Sequence, residues 1–118
     1  MGMRAARKDI DGRSGHSVLY MTARDMDEAG RIVKRLVEKR LIACANMFPI
    51  RSIYRWKGNI EDSEEVGMLI KTKSSLVPKI IREVKLIHSY DVPCIISLKI
   101  DRGNKDFLRW ISDETSDI

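Results

Sequence analysis

The sequence predicts an α+β domain. Two strand–helix–strand halves follow one another, giving an antiparallel four-stranded sheet with two helices on one face and a short C-terminal helix. Three observations carry this. Strand-like content over 17–23, 41–56, 64–73 and 93–100 alternates with apolar residues at helical spacing over 25–40 and 77–87. "KGN" at 57–59 is a turn signal between the two middle strands. Pro93 ends the second helical stretch, because a proline pushes the residue before it into extended geometry.

"SVLYMTA" (17–23) is short, β-branched and aromatic, and so reads as a strand. In "DMDEAGRIVKRLVEKR" (25–40), Ala29, Ile32, Val33, Leu36 and Val37 recur at helical spacing. Asp25 with Glu28 three residues on is a carboxylate version of a capping box and marks the helix start. In "LIACANMFPIRSIYRW" (41–56), Pro49 has no N–H for a ladder, which implies an edge strand or a bulge. "EEVGMLIKTK" (64–73) completes a hairpin. Ser74 or Ser75 is expected to cap the second helix, with Pro78 in its first turn. Its stripe is Val77, Ile80, Ile81, Val84 and Ile87, with His88 at the edge. In "PCIISLKI" (93–100), Cys94, Ile96, Leu98 and Ile100 share one face. Gly103 and Asn104 open the terminal helix, and 112–118 read as frayed. This order is the split βαβ, ferredoxin-like arrangement. Val18 and Tyr20 lie opposite Leu19 and Met21, Leu69 opposite Val66, Met68 and Ile70, and Ile95 opposite Cys94 and Ile96, so these strands are apolar on both faces and need cover on both, which the terminal helix and a partner subunit would supply.

Composition sets the bounds. The chain of 118 residues is one domain, 17–118, behind a segment 1–16 with no apolar periodicity that is expected to be disordered. That segment has four basic residues against two acidic, and the domain carries the remaining +3 of a net +5. Acids are interleaved with the Lys and Arg, a pattern that suits solubility better than nucleic-acid binding. No run approaches the ~18 apolar residues of a membrane span. With no export signal and only Cys44 and Cys94, the expected compartment is the reducing cytosol, with both cysteines as thiols.

The candidate chemistry lies in "HSYDVPCII" (88–96). His88 and Cys94 flank a proline turn, and both are side chains that soft and borderline metals prefer. Each also has an ordinary reading. A free cysteine on an apolar strand face is usually a small core residue, and an imidazolium complements a helix C-terminus. Cys44, between Ala43 and Ala45, and Met21, ending the first strand, are further soft donors with equally good packing roles. Tyr54 and Trp56 alternate onto one side of a strand, which fits a subunit contact better than base stacking. No phosphate loop, HExxH or GxSxG motif is present, and no catalytic residue is assigned.

Five segments together carry a family resemblance: "EKRLIACAN", "SIYRWKGNIE", "LIKTK", "HSYDVPCI" and "GNKDFLRWI". Over about 17–111 the chain resembles the CutA divalent-cation-tolerance proteins. The resemblance implies a ferredoxin-like subunit in a cytosolic homotrimer, implicated in tolerance of copper and other divalent metals and requiring no cofactor. It also implies copper ligation by a first-strand cysteine and histidines at the end of the second helix. Here the first-strand position is Met21, only His88 of the histidine pair remains, and Cys94 replaces the acid after the proline. Met21, Cys44, His88 and Cys94 are therefore this chain's own candidate metal set. A structural trimeric adaptor with a protein partner is the alternative function. An acylphosphatase-like enzyme would use Arg24, but "TARDMDE" has no glycine to form a phosphate cradle.

Overall fold

The computed structural model describes residues 15–117. Residues 1–14 lie outside it, so the expectation of a disordered segment bears there on nothing described. Gly15 and His16 do belong to the fold, which moves the domain start forward. The Gly15 carbonyl accepts from the Ser74 N–H at 2.9 Å, the His16 carbonyl from the Ile100 N–H at 2.9 Å, and His16 begins the first strand.

The elements are β1 (His16–Ala23), α1 (Met26–Glu38), β2 (Cys44–Trp56), β3 (Asn59–Lys73), a 3-10 turn (Ser74–Leu76), α2 (Val77–Ile87), β4 (Ile95–Lys99) and α3 (Lys105–Glu114). The sheet runs β2-β3-β1-β4, with every neighbouring pair antiparallel. The expected α+β fold, four antiparallel strands and three helices, is what forms. β2 is an edge strand, and that is how Pro49 is accommodated.

Pairing fixes the faces. Leu19, Met21 and Ala23 stand opposite Ile70, Met68 and Val66, and all are buried against Ala29, Ile32 and Leu36 of α1 and Ile80 and Val84 of α2. Both helices therefore cover one face. The alternate residues point to the other, open face: Val18, Tyr20 and Thr22 on β1, Gly67, Leu69 and Lys71 on β3, Ile96 and Leu98 on β4, and Cys44, Asn46 and Phe48 on β2. Phe48 lies across β3 because Gly67 has no side chain; a Cβ there would come within 2.8 Å of the ring. α3 covers one end of the open face. His16 Nε2 meets Ser112 Oγ at 2.8 Å, and Lys73 Nζ donates to the Thr115 carbonyl at 3.4 Å.

Several boundaries differ from the sequence reading. β3 starts at Asn59, not 64, because cross-strand pairing with β2 carries a polar stretch that has no strand-like pattern. Leu41 and Ile42 precede β2 and fill the core from a loop. β4 is shorter than 93–100, since pairing to β1 covers only Ile95–Lys99. Ser74 does not cap α2: the 3-10 turn intervenes, and the hydroxyl makes a buried 2.6 Å hydrogen bond with Ser17 Oγ. Nor does the chain fray at 112. α3 runs to Glu114, Thr115 is buried, and the Ser116 N–H donates to the Arg40 carbonyl at 2.8 Å.

Candidate functional site

The end of α2 and the start of α1 meet at Glu28. Asp25 caps α1 by accepting from the Glu28 N–H at 2.9 Å. Glu28 Oε1 then accepts from the Arg24 N–H at 2.9 Å, one residue beyond a reciprocal capping box. Its Oε2 accepts from the Ser89 N–H at 2.7 Å, just past α2. Glu28 is 2% exposed. Burial alone would raise its carboxyl, but the Arg24 and Ser89 hydrogen bonds outweigh that and hold it below the usual 4.5.

This tie places the connection 88–94. The His88 ring is fully enclosed. Its Nδ1 accepts from the Tyr90 N–H at 3.0 Å, so Nε2 carries the hydrogen that is donated to the Thr22 carbonyl at 2.8 Å. The Tyr90 ring stands 4.7 Å from the imidazole, and its hydroxyl donates to Glu65 Oε2. Burial and that carboxylate push the phenol well above its usual value. The stretch is thus a helix-to-strand turn held by a chain of hydrogen bonds. It forms one wall of a cleft of ≈ 680 Å³, whose other walls are Tyr20 and Thr22 of β1, Tyr54 and Trp56 of β2, and Glu65 of β3. Cys94 opens into it. Burial raises its thiol, the Thr22 hydroxyl pulls it partly back, and Glu65 raises it again.

The four candidate metal ligands do not converge. Met21 is wholly buried on the helix-covered face, and both His88 nitrogens are committed. Cys94 is exposed on the opposite face beside Thr22. Cys44 shares that face but stands opposite Lys71 and Val18, four residues along the sheet and three strands across from Cys94. At ~3.3 Å per residue and ~4.8 Å per strand, the two sulfurs are on the order of 20 Å apart. As arranged, this set does not fit one copper centre. Tyr54 and Trp56 do share the cleft, at 43% and 40% exposure within the single chain.

Sequence reasoning took Glu28 only as a cap, Tyr90 only as a shaper of the turn and Tyr20 only as part of an apolar strand face, and gave no role to Glu65. The Asp25–Glu28 spacing flagged the first. The others come together only through the sheet, and no local spacing marks them.

Comparison with known proteins is consistent along the whole domain. The family model for CutA1 divalent ion tolerance protein matches residues 17–114. A divalent-cation tolerance protein CutA of Archaeoglobus fulgidus is 50% identical over 100 residues, covering 85% of this chain and 97% of that protein. The solved structure of CutA from that organism, described as a periplasmic divalent cation tolerance protein, superposes with a TM-score of 0.83 at 47% identity, covering 84% of this chain and 97% of that one. CutA1 of Oryza sativa reaches a TM-score of 0.86 at 33% identity, covering 90% and 98%. With its split βαβ fold and near-complete overlap with these relatives, the chain belongs to the CutA1 divalent ion tolerance family.

Proposed function

We propose that the protein is a non-enzymatic homotrimer acting in divalent-metal tolerance in the cytosol, with no nucleic-acid or membrane partner. One observation carries the assembly: the open face presents Leu69, Ile96 and Leu98 to solvent at 37%, 54% and 57% exposure, around the half-buried Tyr20 and Phe48. α3 covers only the His16 end of it. An apolar sheet face of this kind calls for a partner, and a further copy of the chain supplies one with the same surface. Tyr54 and Trp56, farther out on the hairpin, are assigned to the subunit contact. Light scattering is expected to give a mass of three 13.6 kDa chains. A monomer at micromolar concentration would overturn the reading.

Metal contact is assigned to Cys94 alone of the four donors, because it is the exposed sulfur with no competing role in the core. Its raised thiol must lose a proton to ligate, so Cu(I) affinity should rise with pH. Chelator competition is expected to show weaker Cu(I) binding in Cys94→Ser and unchanged binding in His88→Ala. Unchanged binding in Cys94→Ser would remove copper from the proposal. Two distant free thiols favour a reducing compartment, and cell fractionation tests this against a periplasmic location.

An acylphosphatase reading is disfavoured by the β1–α1 loop. The Arg24 guanidinium pairs with Asp25 at 3.2 Å, and the N–H groups of Arg24 and Glu28, which would cradle a phosphate, are taken by carboxylates. The adaptor reading draws on a different surface. Phe107 and Trp110 stack at 5.6 Å on α3 and are both about two-fifths exposed. A pull-down lost in Phe107→Ser/Trp110→Ser, with the trimer intact, would favour it.

A further inference from the structure

The cleft between the β2–β3 hairpin and the 88–94 connection combines two features that no metal-tolerance role requires. The first is unbalanced negative charge. Glu65 is buried to more than nine-tenths, and one of its oxygens accepts from the Tyr90 hydroxyl. No buried side-chain oxygen of the described residues lacks a partner. The other Glu65 oxygen, which makes no hydrogen bond within the described residues, therefore keeps some accessible surface, and Glu65 lines the cleft. Asp91 lines the same cleft, and among the described residues no Lys or Arg pairs with either carboxylate. Among the described residues the one cation in the lining, Arg51, is already neutralised by Asp62 through two hydrogen bonds of 2.9 and 2.7 Å.

The second feature is aromatic lining. Tyr20, Tyr54, Trp56 and Tyr90 supply the walls around those carboxylates. Aromatic faces attract cations through the ring quadrupole, and they favour weakly hydrated organic cations. A hard divalent ion would instead want several oxygen ligands at once. At ≈ 680 Å³ the space is far larger than a bare ion needs and falls in the range of small-molecule pockets.

We propose that this cleft binds a small organic cation, an alkylated or quaternary ammonium carrying an apolar body, with Glu65 as counter-charge and Tyr20, Tyr54, Trp56 and Tyr90 as its walls. The cation sits against the accessible Glu65 oxygen, while the Tyr90 hydroxyl holds the other and fixes the carboxylate. Asp91 adds charge at the rim. Because Tyr54 and Trp56 are also assigned to the subunit contact, the site is completed in the assembled protein.

The test uses the full-length assembled protein with benzyltrimethylammonium as probe and benzyl alcohol as its uncharged counterpart, followed by calorimetry and by the fluorescence and NMR signals of Trp56. Saturable binding at millimolar probe is expected, about tenfold or more tighter than benzyl alcohol, and weakened by a similar factor in Glu65→Gln. Thermal unfolding checks that the variant folds. Should it not, Asp91→Asn, which leaves the Tyr90–Glu65 bond intact, is expected to weaken the charged probe alone. Equal affinity for the charged and neutral probes overturns the proposal. So does absence of saturable binding, the outcome if a neighbouring copy's side chain already fills the cleft. Displacement of the probe by Ca²⁺ or Mg²⁺ at equal concentration would likewise overturn it, by making the cleft an inorganic-ion site.

Discussion

Met68 and Leu69 are neighbours in β3, both large and apolar, and their situations could hardly differ more. Met68 is fully enclosed beneath α1 and α2, while Leu69 is 37% exposed on the open face. The pleat alone separates them. Equal hydrophobicity on two faces therefore has two meanings: one face is the core of the chain, and the other is a surface that the chain cannot cover by itself.

The largest expected effect breaks the first face. Met68→Ala should cost about 2–5 kcal/mol in denaturant unfolding, because the packed helices cannot collapse fully onto the lost volume. Leu69→Asp should leave the far-UV spectrum of the chain intact and instead release protomers, read by sedimentation. If both variants only unfold the chain, the two faces are not distinct. A smaller effect tests what holds the helix layer together. Glu28→Ala removes the carboxylate that accepts from the part-buried Arg24 and Ser89 N–H groups, at about 1–3 kcal/mol in all, since water can reach both donors in part. Glu28→Gln should recover part of the loss, since an amide oxygen still accepts. Equal loss in the two variants would mean that packing, not hydrogen bonding, is what Glu28 supplies.

The smallest effect concerns α3 on the open face. Burial lowers the His16 imidazole below its usual 6.5, a hydrogen bond to the Leu108 backbone partly raises it, and the Lys73 charge lowers it further. Its charged form is therefore disfavoured in the folded chain. The associated stability is present above 6.5 and lost as pH falls through the lowered value. The thermal midpoint should drop on acidification across that window, and less so in His16→Gln. A pH response identical to that of the parent chain would show that His16 does not report the docking of α3.

Much of this was legible in the sequence. Period changes gave the element order, Pro49 marked an edge, and alternation in β1, β3 and β4 showed two apolar faces before any coordinates. What stayed hidden depends on pairing. "NIEDS" has no strand pattern and is a strand only because β2 lies beside it. Cys44 and Cys94 sit in similar local settings, yet the strand order sends them to opposite ends of one face. His88 was visible as a possible ligand, but only the fold shows that both its nitrogens are engaged.

The attachment of α3 has a mechanical consequence. The helix is fastened at its far end: Ser112 to His16, the Asp113 carbonyl to Arg40 Nη2 at 2.8 Å, and the Ser116 N–H to the Arg40 carbonyl. Tension applied at Asp117 would therefore load two points together: the bend at Arg40, a non-glycine residue at φ 58°, and the side chain of Lys73 at the end of β3, which pairs with Asp117 at 3.5 Å. Those few bonds would be drawn open one after another, whereas the strands behind them resist in shear along their full length. In a pulling experiment α3 should peel away first as a separate low-force event, baring the end of the open face while the four-stranded sheet is still whole.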